Sequence, residues 1–351
     1  MGGASRAERS RAAPGGEGRR DATLRDVGRI AGVSAMTASR ALHRPDLVAP
    51  GTAARVKDAV RRLAYVPNRL AGGLSSRRSD LVVAVVPSTL NPTFAELVHA
   101  LQAELLRSGY QLFLGLSDYT VSREDELVDA IVGRRPDGIV LTGVVHTPEL
   151  RRRLEKGHIP VVETWDLAPR PIDMLVGFSN AGVGRAAAGH LLERGRRRPA
   201  LVMADDQRAQ ARRAAFLRLL KERGIPLAAE VNVRAPSSAG DGREALARLL
   251  RVAPRVDSVF CSSDQLAMGV LFEAAARGVA VPERLAVMGF GNAPISAHTH
   301  PPLTTVAVDG ARIGREAARL LVERLSGTAP RRPGRPRILD VGFTILSRGT
   351  T

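Results

Sequence analysis

Residues Thr23 to Leu42 read TLRDVGRIAGVSAMTASRAL, and this run constrains the fold more than any other stretch of the chain. Leu24, Val27, Ile30 and Ala31 recur at helical spacing and make one apolar stripe. Thr23 stands ahead of it as an N-cap, with Asp26 three residues on to complete a capping box. Gly32 ends that helix, since glycine tolerates the positive φ of a helix stop. Ser34 caps a second helix whose inner side carries Thr37, Ala38, Ala41 and Leu42. Two short helices joined by a glycine turn predict a helix-turn-helix, in which the second helix enters the DNA major groove. An ordinary helical pair inside a larger α domain has the same periodicity. The residues beyond Leu42 separate the two readings.

At 351 residues the chain is long enough for two or three packed units. Its net charge of +17 is unevenly spread. Residues 1–80 hold 16 basic and 7 acidic side chains, against 36 and 28 in the other 271. The excess is densest beside the helical pair, where a polyanion would bind. Basic composition alone is a weak signal, and here it is almost all arginine, with lysine at Lys57, Lys156 and Lys221. The single cysteine, Cys261, excludes an intrachain disulfide and a cysteine-based metal cluster. No run of 18 apolar residues is present, so no membrane span is expected. Residues 1–21 lack the apolar centre of a signal peptide and read as a disordered basic arm. The expected location is the bacterial cytoplasm, on the nucleoid, rather than outside the cell as a secreted sugar-binding protein.

A loop from His43 to Pro50 leads to a third helix over about Thr52 to Leu63, with Val56, Val60 and Leu63 on one face. Residues 22–66 thus make a small all-α headpiece. The next stretch, YVPNRLAGGLSS from Tyr65 to Ser76, is a hinge over 67–79. Pro67 breaks the preceding helix and Asn68 caps a short new one. Gly72 and Gly73 weaken that helix by about 1 kcal/mol each relative to alanine, so it needs a partner to form.

From Leu81 apolar strands alternate with amphipathic helices, the pattern of parallel doubly wound sheets. Strands are expected at Leu81–Val86, Gln111–Leu116, Gly138–Leu141, Pro160–Glu163, Met174–Val176, Ala200–Met203, Ser258–Cys261, Leu285–Met288 and Thr304–Val308. The length suits two lobes over 80–345. The first takes about 80–178 plus 308–325, the second about 179–307 plus 326–345, and residues 346–351 form a tail.

No catalytic signature stands out. There is no Walker A sequence and no G-x-S-x-G elbow, and Gly182-Val183-Gly184 lacks the third glycine of a dinucleotide fingerprint. His298 and His300 have no third ligand nearby, so no metal is expected, and no cofactor. Cys261 ends an apolar strand and reads as a buried structural thiol. A non-catalytic cleft is better supported, because open α/β sheets bind ligands beyond the carboxyl ends of their strands. Ser88, Asn91, Glu163, Asp166, Asn180, Asp264 and Asn292 lie just past those ends. Each also has a reading as a cap or turn residue. Arg212 and Arg213, on the polar side of a helix, read either as carboxylate partners or as solvated arginines.

These pieces, in this order, resemble the lactose-repressor family of bacterial transcription regulators, from about Thr23 to Thr344. The resemblance rests on the headpiece run, YVPNRLAGGLSS, NPTF from Asn91, PDGIVLTG from Pro136, IPVVE from Ile159, VGFSN from Val176, VFCSSDQLAMGV from Val259 and PPLTTV from Pro301. IPVVETWD, VGFSN and DVGFTILSRG look most like the gluconate-operon repressor branch. The resemblance implies an all-α helix-turn-helix headpiece with a hinge, then a two-lobed α/β core like that of periplasmic binding proteins. It also implies a homodimer on a pseudo-palindromic double-stranded operator. On the headpiece, Thr23, Leu24, Ser34, Ala35, Met36, Thr37, Ser39 and Arg40 fall at the DNA surface. Ala35, Met36 and Arg40 meet bases there, Asn68 and Arg69 approach phosphates, and Leu74 wedges into the minor groove. For a sugar or sugar-acid effector it implies Ser88, Asn91, Phe94, Asn180, Arg212, Asp264 and Asn292, to which the strand-end argument adds Glu163. The expected activity is repression of carbohydrate or sugar-acid catabolic genes, relieved by an inducer, and no catalysis. Co-repressor or activator logic is the alternative within the family. A sugar-binding protein or an enzyme on the same core is the rival class.

Overall fold

The computed structural model describes residues 22–65, 79–89, 91–328 and 336–351. The arm expected over 1–21 lies outside the described residues, as do Asn68, Arg69, Leu74 and nearly all of the hinge. The chain divides into two compact units, residues 1–76 and 77–351.

In the first unit, α1 (Leu24–Ala31), α2 (Ala35–His43) and α3 (Pro50–Leu63) follow one another. The Asp26 carboxylate accepts the Thr23 N–H at 3.0 Å while the Thr23 hydroxyl takes the Asp26 N–H, completing the capping box. Gly32 closes α1 at φ 66°. The Ser34 hydroxyl accepts the Thr37 N–H at 3.1 Å and starts α2. Each such cap is worth about 1 kcal/mol. α3 opens at Pro50 rather than Thr52, because a first-turn residue needs no N–H to donate. Val27, Ala31, Ala38, Ala41, Val56 and Ala59 are buried between the three helices. Small side chains let them pack closely, and Arg55 adds a bond from Nε to the Ala31 carbonyl at 3.2 Å.

The second unit holds two six-stranded sheets. The first contains β1 (Leu81–Val86), β2 (Gln111–Leu116), β3 (Gly138–Thr142), β4 (Val161–Thr164), β5 (Met174–Gly177) and β11 (Arg337–Asp340). All are parallel, in the order β11-β5-β4-β3-β1-β2. The second contains β6 (Pro199–Ala204), β7 (Ala229–Val233), β8 (Ser258–Cys261), β9 (Ala286–Phe290), β10 (Thr304–Ala307) and β12 (Thr344–Leu346). Its order is β12-β10-β9-β8-β6-β7, parallel except that β12 runs against β10. The central strands are unbroken apolar runs, such as LVVAVV in β1, because helices cover both faces. On the first sheet α4 (Pro92–Arg107) packs with α11 (Gly310–Ser326), while α5 (Val121–Val132) and α6 (Pro148–Lys156) cover the other face. On the second, α7 (Asn180–Glu193) packs with α8 (Gln207–Glu222), opposite α9 (Ala239–Val252) and α10 (Asp264–Ala276).

The chain crosses between lobes three times, at residues 178–179, 308–309 and 341–343. Two boundaries differ from expectation. Residues 337–340 do not belong to the second lobe: leaving α11 on the first lobe, they pair with the open edge of β5 before crossing. Residues 346–351 are not a tail. Leu346 ends β12, and Thr350 is fully buried, its hydroxyl donating to the Val287 carbonyl at 2.6 Å and its carbonyl accepting the Val287 N–H at 2.8 Å.

Candidate functional site

Two surfaces carry chemistry. On α2, Met36 and Arg40 are four residues apart and so share one exposed face, with Met36 73% exposed. Ala35 and Ser39 are half-buried beside them. Ser34 and Thr37 are joined through their hydroxyls at 3.0 Å, and Thr23 is engaged with Asp26, so these three serve the helix ends. Leu24 packs half-buried against the headpiece core.

The second surface is a cleft between the lobes, where the strand order reverses beside β1 and β3. Pro87, Ser117, Tyr119, Thr120 and Glu124 line it with the loop 142–145 and Asp166 from the first lobe. Asp206, Gln207, Arg208 and Ala211 line it from the start of α8 in the second. Its empty space is about 670 Å³ with the open solvent at its mouth counted in. Its polar side chains are four hydroxyls, three carboxylates, the Gln207 amide and the Arg208 guanidinium, set among Pro87, Gly143, Val144, Val145 and Ala211.

None of the eight residues expected at the effector site is among the residues that line this cleft. Asn91 caps α4, its Oδ1 accepting the Thr93 N–H at 3.1 Å. Phe94 packs at a tilt against Trp165 with centroids 4.7 Å apart. Ser88 is buried at the end of β1. The Asn180 amide donates to the Trp165 carbonyl at 2.9 Å, across the lobe boundary, and its Oδ1 accepts from Arg212. Arg212 is fully enclosed. It also donates to the Ser262 carbonyl at 3.2 Å and lies 4.1 Å over the Phe290 ring. Burial pushes its pKa down to about 10, which leaves it cationic at neutral pH. Its Nε has no hydrogen-bond partner. Arg213 is spent elsewhere, on a two-pronged pair with Glu230 at the foot of β7. Asp264 accepts from the Thr305 hydroxyl and the Ala293 N–H, both at 2.6 Å, and burial raises its pKa against those bonds. Asn292 accepts from Arg348 at 2.7 Å.

Glu163 is fully buried and faces a histidine. His146 lies between two carboxylates, with Nδ1 3.1 Å from Glu124 and Nε2 3.2 Å from Glu163. Burial alone would lower the pKa of the imidazole; the bonds and charges of the two glutamates outweigh it and raise the pKa to about 9. Glu163 also accepts the Ile172 N–H, and Thr147 donates to Asp125 at 2.8 Å. These bonds fasten the cleft loop after β3 to α5 and to the β4–β5 loop. Neither His146 nor Arg208 carries a sequence signal beyond that of a scattered histidine and a helix-start arginine. Among the described residues, no cluster of three His, Cys, Asp or Glu side chains is arranged to hold a metal, and no helix is long and apolar enough to cross a membrane. Cys261 is buried, and burial raises its thiol pKa, as suits a packing residue.

The lacI family of bacterial regulatory proteins matches residues 23–68, and a periplasmic binding protein-like domain matches residues 188–351. The HTH-type transcriptional regulator GntR of Pseudomonas aeruginosa is 40% identical over 94% of this chain and 95% of its own length. The crystal structure of a lacI-family transcriptional regulator from Silicibacter pomeroyi superposes with a TM-score of 0.88 at 31% identity, over 94% of this chain and 99% of that one. A transcriptional regulator, CelR, solved with cellobiose, has a TM-score of 0.67 at 29% identity, over 94% of this chain and all of that one. A DNA-reading helix, a two-lobed core in the family's order and identity across nearly the whole length meet in one chain: it is a helix-turn-helix transcriptional regulator and belongs to the lacI family.

Proposed function

We propose that the chain represses carbohydrate or sugar-acid catabolic genes as a homodimer on a pseudo-palindromic operator, and that a gluconate-like effector in the cleft releases it. The observation that carries this reading is a cleft bearing hydroxyl, carboxylate and guanidinium side chains, joined to a DNA-reading headpiece in one chain. Hydroxyls and carboxylates suit a polyol, and Arg208 suits an acid. The resemblance to the gluconate-operon branch, and the 40% identity to a GntR, support the acid. Exposed Phe113, Leu114 and Leu116 on the edge strand β2 are the kind of apolar surface that a second copy would cover. The protein acts without catalysis, in the bacterial cytoplasm.

The effector works by binding one lobe arrangement more tightly than the other. A coupling of about 1–3 kcal/mol between cleft and operator is typical. Met36 and Arg40 read bases, and Ser34, Ala35, Thr37 and Ser39 surround them. Ser88, Asn91, Phe94, Glu163, Asn180, Arg212, Asp264 and Asn292 are the proposed effector residues. A neutral sugar is the second reading, favoured by the relative solved with cellobiose. Operator release decides the matter: fluorescence anisotropy on an operator selected from genomic DNA should fall on adding gluconate. Tightening by the same ligand would establish a co-repressor, and turnover of the ligand would overturn the reading.

A further inference from the structure

We propose that Arg208 and Thr142 form the acid-binding end of the cleft, and that Arg208 exchanges a bond between the lobes for a bond to the effector. This rests on the reading of a sugar-acid effector given above. Arg208 rises from α8 in the second lobe, yet three of its contacts are with the first. Its Nη1 donates to the Thr142 carbonyl at 3.1 Å, and its guanidinium carbon lies 5.5 Å from the Phe94 ring and 5.7 Å from the Tyr119 ring. Within its own lobe it meets Asp206 at 3.5 Å, but that oxygen already accepts the N–H groups of Arg208 and Ala209. A five-donor guanidinium facing one neutral carbonyl and one shared carboxylate has capacity for a bidentate anion.

The second observation is on the other side of the bond. The Thr142 hydroxyl is buried at the cleft wall and has no hydrogen-bond partner. Such a group is costly to leave unpaired, and a ligand hydroxyl satisfies it. A carboxylate held by Arg208 brings its neighbouring 2-hydroxyl towards Thr142, because Arg208 itself sits on the Thr142 carbonyl. The remaining charges on the lining, Glu124, Asp166 and Asp206, accept hydroxyls and repel a second carboxylate. The ligand class is therefore a polyhydroxy monocarboxylate. Binding it turns the Nη1 donor from the Thr142 carbonyl to the carboxylate while the guanidinium stays beside Thr142, so the side chain that senses the acid also sets the lobe arrangement.

Calorimetry on the full chain with sodium gluconate, glucitol and glucarate tests this. Wild type should prefer gluconate to both others by about 30-fold or more, the scale of one charge-assisted bidentate pair. Arg208→Gln should lose about 30-fold for gluconate and stay within about threefold for glucitol, Arg208→Lys should recover part, and Thr142→Val should lose about fivefold. Arg208→Gln without ligand should also move the emission of Trp165 in the direction that gluconate moves it in wild type. Gluconate binding within about threefold of wild type in Arg208→Gln overturns the inference and leaves the sugar-acid reading standing. If wild type binds none of these acids, or binds glucitol as tightly as gluconate, the sugar-acid reading falls and the inference with it. If Arg208→Gln fails to fold, Arg208→Lys and Thr142→Val decide: unchanged gluconate selectivity in both overturns the proposal, and reduced selectivity supports it.

Discussion

The α-carbon of Gly184 on α7 faces the carbonyl of Arg212 on α8 so closely that a β-carbon there would stand 1.9 Å from the oxygen. The two helices meet backbone to backbone, and α8 carries both Arg208 and Arg212. Gly184→Ala is expected to push α8 outward at a cost of about 1–3 kcal/mol, the range for overpacked contacts. Effector affinity should fall with it, by roughly tenfold, while the headpiece keeps non-specific DNA binding. Urea unfolding followed by a ligand titration reads both. Wild-type values in this variant would mean that α7 and α8 part freely.

A pH dependence arises from His146. Its folded pKa of about 9 lies above the ordinary 6.5, so its stabilisation is full below pH 6.5 and is lost as the pH rises through about 9. The free energy linked to that difference is about 3 kcal/mol. Core stability in wild type should therefore fall between pH 6.5 and about 9. In His146→Gln it should start lower and vary less over the same range. The difference between the two curves isolates this histidine from other titrating groups. Parallel curves would show that the imidazole is not held as a cation between Glu124 and Glu163.

On the headpiece, Arg40 is the charged side chain on the outer face of α2 that Met36 shares. Arg40→Ala should cost about 1–3 kcal/mol of discrimination between operator and random DNA, as losing a bidentate guanine contact does. Non-specific binding, still steeply salt-dependent, should remain. Met36→Ala should cost less, since it removes an apolar contact alone. A footprint of Arg40→Ala at the wild-type protein concentration would remove Arg40 from base reading and leave specificity to DNA shape.

Long apolar runs and caps are legible in the sequence because local physics decides them. Thr23, Gly32 and Ser34 bound their helices as expected, and the nine expected strands form within a residue or two of their places. Elements with little apolar content are not legible in this way. α6, PELRRRLEK, buries just Leu150 and Leu154, and the edge strands β7, β11 and β12 are short and half-exposed. Their existence depends on neighbours distant in sequence. The same holds for the cleft. Gly184 has the local pattern of a phosphate-binding loop fragment, but serves a helix crossing that no local pattern reveals. Arg212 has the sequence position of a carboxylate partner; one helical turn earlier, Arg208 is the arginine that lines the cleft. Which of two arginines faces a cleft is set by how α8 seats on α7, and that is a tertiary fact.

Trp165, the sole tryptophan, stands where lobe movement should be felt. Its ring packs on Phe94 of the first lobe at 4.7 Å and edge-on against Phe178, in the first crossing segment, at 5.8 Å. Its carbonyl accepts the Asn180 amide from the second lobe at 2.9 Å, and its backbone holds φ 77°, a strained value for a bulky side chain. Any rotation of one lobe against the other disturbs this packing, because its partners belong to both sides of the crossing. Saturating effector should therefore change the intrinsic emission of the wild-type protein, with a midpoint equal to the calorimetric one. Trp165→Phe should keep the aromatic packing and bind with similar affinity, but without that signal. Asn180→Ala, which removes the amide from the Trp165 carbonyl, should shift the resting emission towards the effector-bound value. Calorimetric saturation with no change in wild-type emission would mean that the lobes do not move about this ring, and that the cleft communicates with the headpiece by another route.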